Sequence, residues 1–266
     1  MARNSALNFN LPSADDLFST EEERAEARLE KVVNLSPAEI SDFPNHPFKV
    51  RMDAAMQEMA ESVKQYGVLV PTLVRPKPEG GYEMVAGHRR KKAADLAGLA
   101  KIPCIVRQLT DDEATIIMVD SNLQREQILP SEKAFAYKMK LEALKHQGAR
   151  SDLTSRQVVG KLEMADVVGQ NAGESGRQVQ RYIRLTELIS ELLDMVDERK
   201  LAFNPAGEES YLKQDEQRML LEAMDAEQTT PSLSQAQRLK KLSREGKCTQ
   251  DAMYKVMSEE KKDELD

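Results

Sequence analysis

The pattern of apolar residues changes once along the chain, near Val106, and that change limits the possible folds more than any other feature. From Val32 to Val106, short apolar runs alternate with helical periodicity. Beyond Val106 the runs stop and nearly everything reads as helix. Leu35-Ser36-Pro37 and Phe43 to Pro47 are turn-rich. Met56, Met59, Val63 and Tyr66 recur at helical spacing in Met52–Tyr66, and Gly67 stands where a left-handed cap ends such a helix. Thr72–Arg75, residues 81–85 and Ile102–Val106 read as strands, with a turn at Pro76–Gly81 and a helix from Gly87 to Gly98. The helices expected after that span Asp111 to about Arg125, Ser131 (as its cap) to His146 with Gly148 as the stop, and a capping-box start at Thr154–Gln157. Further helices are expected from Ser175, over Glu187–Arg199, and, after a break at Asn204-Pro205-Ala206-Gly207, over Asp215–Glu227, Ser232–Glu245 and Thr249–Lys262. The fold class expected is α+β: a small α/β domain, then an all-helical domain with a helical tail. The boundaries expected are 1–31 (a flexible acidic lead-in, with a short helix near Glu21–Val33), 32–128, 129–200 and 201–266.

Composition narrows the function classes. No run approaches 18 apolar residues, so no membrane-spanning helix is expected. Cys104 and Cys248 are too far apart for a metal or redox motif, and His46, His88 and His146 lack metal spacing, so two free thiols in a cytoplasmic setting are expected. With 38 Lys+Arg against 45 Asp+Glu the net charge is −7, which on average opposes binding to nucleic acid. The average misleads. Asp15–Glu30 carries seven acids and two bases, and residues 207–227 carry seven and two. Gly87–Lys101 holds five bases against one acid, and Ser175–Thr186 has three arginines and no acid.

Those two basic segments are the candidate sites. In Ser175–Thr186, at helical spacing, Arg177, Arg181 and Arg184 fall within about 60° of one another with Gln180 beside them. Val179, Tyr182, Ile183 and Thr186 take the other side. Arginine and glutamine are the side chains that meet guanine and adenine edges in a major groove, and arginine also holds phosphates. Thr154–Leu162 would be the supporting helix of a helix-turn-helix, although Glu163–Glu174 is longer than the usual tight turn. An ordinary amphipathic helix with a solvated basic face is the alternative. Ala86-Gly87-His88-Arg89-Arg90 follows a strand and opens a helix, where free N–H groups and arginines suit a phosphate. A plain basic helix start is the alternative there. Ser121-Asn122-Leu123-Gln124-Arg125 is a second polar cluster able to reach the same phosphates.

In order along the chain, His46–Arg51, Ser62–Pro71, Val85–Ala97 (VAGHRRKKAADLA) and Asn122–Ala134 (NLQREQILPSEKA) resemble the ordered motifs of the ParB family of partition proteins. The resemblance covers roughly residues 32–200. It implies a ParB/sulfiredoxin-like N-terminal domain that binds CTP with Mg²⁺ and closes a dimeric clamp sliding on DNA. It also implies a helix-turn-helix that binds palindromic, centromere-like DNA, a homodimer, and a ParA-type Walker ATPase as partner. Carried onto this chain, Arg51, Gly87, His88, Arg89, Arg90, Ser121, Asn122 and Arg125 would bind the nucleotide, with Asn122 at the metal. Ser175, Arg177, Gln178, Gln180, Arg181 and Arg184 would bind DNA. His88 and Ser121 stand where the family has acidic residues, so nucleotide binding is the firmer expectation and hydrolysis at most slow. A helix-turn-helix transcriptional regulator and a nuclease are the alternatives.

Overall fold

The computed structural model describes residues 31–125, 127–151 and 161–259. Five strands form one sheet in the order β1 (Val32–Leu35), β5 (Ile102–Val106), β3 (Thr72–Pro76), β4 (Tyr82–Ala86) and β2 (Ile40–Ser41). β1 and β5 run antiparallel, as do β3 and β4, while β5–β3 and β4–β2 are parallel. Three of the strands are those the sequence indicates. β1 and β2 are additions: Val32-Val33, expected at the end of a short helix near Glu21–Val33, are strand and pair with Ile105 and Cys104. Only Leu35 of β1 is buried, so the strand has no alternating pattern and depends on backbone pairing with its neighbour.

Helix α1 (Ala54–Tyr66) starts where the Asp53 carboxylate accepts the Met56 N–H at 2.9 Å, and ends at Gly67 with φ 72°. It packs with α2 (His88–Ala97) on one face of the sheet, around Met56, Val63, Val74, Met84, Ala93 and Ile102. Val85, the next residue after Met84, points to the other face. There it joins Phe43 and Phe48 with Met118 and Val119 of α3 (Asp111–Leu123) and Tyr137 and Leu141 of α4 (Pro130–Ser151). β4 is thus buried on both faces, and its one charged residue, Glu83, is buried too and accepts from Arg75 Nε at 2.6 Å. The same core continues across residue 128 into Ala165 and Val168 of α5 (Lys161–Gln170) and Val179 of α6 (Gly176–Arg184).

A third core joins α7 (Ser190–Asp197), α8 (Phe203–Glu209), α9 (Gln214–Glu227), α10 (Leu233–Arg244) and α11 (Gln250–Met257) around Leu192, Leu220, Leu239 and Met253. Here two expectations fail. The break at 204–207 is helix α8, because Pro205 falls in the first turn, where an N–H has no intrahelical acceptor to lose. α4 begins at Pro130 and runs through Gly148. Ser131 is not its cap; its N–H and O–H donate to the Asp197 carboxylate at 2.9 and 2.5 Å. Glu132 supplies the start, accepting the Leu129 N–H at 3.0 Å. The expected helix from Thr154 falls largely outside the described residues, and the lead-in before Lys31 lies outside them altogether.

α5 and α6 are joined by residues 171–175. Two glycines let them approach closely. A Cβ on Gly169 would lie 2.3 Å from the Glu174 carbonyl oxygen, and one on Gly176 2.6 Å from Asp166 Oδ1. The Asp166 carboxylate accepts the Gly176 N–H and so fixes the start of α6.

Candidate functional site

Gly87 is the N-terminal cap of α2, with φ 112°. Any other residue would be strained there, and its Cβ would meet Thr72 Cγ2 at 2.6 Å. The cap has no side chain to accept from the first turn of α2, so those N–H groups and the positive end of the helix dipole are available to an anion.

The three residues after Gly87 point in different directions. His88 is 6% exposed and lies against His46, with ring centroids 3.9 Å apart. Burial and the neighbouring His46 push its pKa down to about 3, so it is uncharged at neutral pH. His46 Nδ1 bonds the Phe48 carbonyl at 2.8 Å, and burial pulls its pKa down too. The pair lines a cavity of about 500 Å³ with Asp42, Phe48, Lys91 and Lys92. Arg90 turns away to donate to the Val70 and Pro71 carbonyls, at 2.6 Å each. Arg89 is less fully engaged: its Nε is buried with no acceptor, and its tip stands 3.8 Å from Asp53. Arg125 lies over the Phe48 ring at 5.7 Å; burial and the charge of Arg89 pull its pKa below the usual range. Arg89 and Arg125 therefore converge, while Arg51 is exposed on the connection into α1.

Ser121 and Asn122 lie at the end of α3, and both side chains donate to the Met118 carbonyl, at 2.9 and 2.8 Å. The adjacent Asp120 is held by Lys140 at 2.5 Å. No group of three or more His, Cys, Asp or Glu able to hold a metal occurs among the described residues. Mg²⁺ requires several oxygen ligands, and these residues do not fit it by themselves.

The second candidate is α6. Ser175 Oγ accepts the Gln178 N–H at 3.3 Å, Val179 is buried, and Arg177 and Arg181 are exposed. Gln178 is half-buried. Gln180 is half-buried too, and its Nε2 has no acceptor. Arg184 does not share the exposed face. Its Nε donates to Ser210 Oγ at 3.1 Å, a second nitrogen donates to the Ser210 carbonyl, and its guanidinium covers the Tyr211 ring at 4.0 Å. Lys240 reaches the same ring at 3.6 Å. The sequence reading missed Tyr211 and Lys240; neither has a periodicity or motif that would tie it to α6.

Among the described residues, no helix is long and apolar enough to cross a membrane. Residues 21–123 match the family described as ParB N-terminal domain. The chain is 36% identical over 166 residues to the chromosome-partitioning protein Spo0J of Thermus thermophilus, covering 62% of this chain and 55% of that protein. It thus spans about half the length of the curated relatives it matches. A C-terminally truncated ParB from Caulobacter crescentus on its centromeric parS site overlays with TM-score 0.47 at 24% identity, covering 80% of this chain and 99% of that one. The same protein complexed with CTP-gamma-S overlays with TM-score 0.34 at 27% identity, covering 68% and 92%.

Proposed function

We propose that the chain is a sequence-specific DNA-binding partition protein of the ParB type whose N-terminal domain binds CTP, a reading supported by the match of residues 21–123 to the ParB N-terminal domain family. The observation that carries the DNA part is the α5–α6 pair. Glycines at 169 and 176 allow a close approach across a short connection, and the second helix presents Arg177 and Arg181 to solvent from an anchored Val179. That is the arrangement by which a helix-turn-helix lays its second helix in the major groove. Ser175, Arg177, Gln178 and Arg181 carry the contacts, and Arg184, bonded to Ser210, positions the helix from behind.

The nucleotide part rests on Gly87, the free start of α2 and the converging guanidiniums of Arg89 and Arg125. These hold a triphosphate, with Arg51 at the rim and Ser121 and Asn122 at the end of α3. His88 and Arg90 shape the loop rather than touch phosphate. Any Mg²⁺ there would depend on ligands other than these residues, and CTP acts as a bound switch for closing a clamp on DNA. A palindromic site, a homodimer and a ParA-type ATPase belong to the same reading, which the partitioning role named for the Spo0J relative supports. Genome-wide mapping of bound DNA, followed by anisotropy on the site recovered, tests it. Arg181→Ala abolishes site-specific binding. Arg89→Ala keeps it and loses CTP binding and CTP-dependent spreading. Identical behaviour of the two variants would refute the two-site assignment.

A further inference from the structure

Three cations gather around one aromatic ring just beyond the last turn of α6. Around Tyr211, Lys240 Nζ lies 3.6 Å from the ring centroid, Arg184 Cζ 4.0 Å and Arg244 Cζ 5.9 Å. One carboxylate answers them: Glu208 binds Lys240 at 2.6 Å. Arg184 is oriented by the neutral hydroxyl and carbonyl of Ser210, which fix its position without cancelling its charge. Arg244 is exposed and has no carboxylate partner among the described residues. The cluster keeps a positive excess in a chain that is acidic overall.

The same helices enclose a groove of about 560 Å³, whose charged lining is Arg181, Arg184 and Lys240 against Glu187 and Glu208, with Gln180, Asn204 and Gln237 beside them. Gln180 Nε2 is buried there without an acceptor. A buried donor with no partner costs free energy that an oxygen ligand restores. Cationic excess and an orphaned donor call for the same chemistry, an oxyanion. Arg181, exposed on the candidate reading face, forms part of the groove wall, so a run of phosphates passing α6 continues into it.

We propose that this groove, together with Arg244 beside its Tyr211 wall, is a phosphate site, in which Lys240 and Arg244 of α10 hold DNA backbone phosphates flanking the bases met by α6. The proposal rests on α6 being the DNA-reading helix. It gives residues 233–244 a role: they set register and affinity and carry no sequence information.

The test uses the full chain, its selected site duplex and an unrelated duplex of equal length, in anisotropy titrations across a salt series. Lys240→Gln with Arg244→Gln should weaken both duplexes by a similar factor, about tenfold, and lower the salt slope by about 2, as expected for two lost phosphate contacts. Arg181→Ala should instead abolish preference for the site. Arg244→Glu, on an exposed side chain outside the Lys240–Glu208 pair, should reproduce the loss with an unchanged melting temperature. Unchanged affinity and slope in the Gln variant, with Arg181→Ala still abolishing preference, overturns the phosphate site alone. Arg181→Ala without effect removes α6 as the reader, and this proposal with it. A final arm adds inorganic phosphate alone. If phosphate stabilises the native chain through Lys240 and Arg244 while DNA binding ignores them, the site serves a free phosphate and the DNA assignment is overturned.

Discussion

Glu209 offers a quantitative test of the packing around α8. Its side chain is fully buried, neither carboxylate oxygen has a hydrogen-bond partner, and burial pushes its pKa from 4.5 up to about 8. The folded protein therefore keeps this proton up to about pH 8, whereas the unfolded chain releases it near 4.5. Between those values the folded state binds more protons, so stability falls as pH rises through the window and levels off above it. At about 1.4 kcal/mol per pH unit, the full window corresponds to about 5 kcal/mol. Glu209→Met keeps the length of the side chain and removes the titration. Urea unfolding followed by circular dichroism, at pH 6, 7, 8 and 9, gives the difference between variant and native chain, in which all other titrations cancel. The variant's advantage should grow by about 2 kcal/mol from pH 6 to pH 8 and then flatten. Parallel curves would refute the claim that this carboxyl is buried neutral and unpartnered.

Gly176→Ala drives a methyl into Asp166 at 2.6 Å and should destabilise the α5–α6 pair by about 1–3 kcal/mol, seen as a lower melting temperature together with lost DNA affinity. Arg90→Ala leaves the Val70 and Pro71 carbonyls without their donor, so it should lower the melting temperature with no nucleotide present, by about 1–3 kcal/mol of stability. Ser131→Ala removes a hydroxyl bond to Asp197 that ties α4 to α7, and should cost about 1–2 kcal/mol in urea unfolding with little change in CTP affinity. An unchanged melting temperature in any of these three variants would contradict the contact named.

How much was legible in advance depends on how local each determinant is. Gly67 and Gly87 announce themselves because a cap or a tight loop requires a backbone that other residues rarely adopt, and both have positive φ. The central strands and α6 are visible because their apolar periodicity lies within a few residues. β1 is invisible for the opposite reason: its stabilisation comes from β5, some seventy residues on. Pro205 misleads because a proline in a helix's first turn and a proline in a loop look alike in sequence. The basic stripe that helical spacing indicates on α6 is one residue wider than the exposed one, because spacing on a wheel cannot say which arginine meets another helix.

The amino-acid order alone shows the central strands, the glycine cap of α2 and the basic helix α6, since each depends on near neighbours. Only the tertiary structure decided what each charged group does. It sent Arg90 to two carbonyls, left Arg89 Nε without an acceptor, and turned Arg184 from the exposed face of α6 to Ser210 and the Tyr211 ring. It also buried His88 against His46 as an uncharged ring. The physical reason is that a side chain's partners, and the solvent it loses, come from segments far apart in the chain, and only folding brings those segments together.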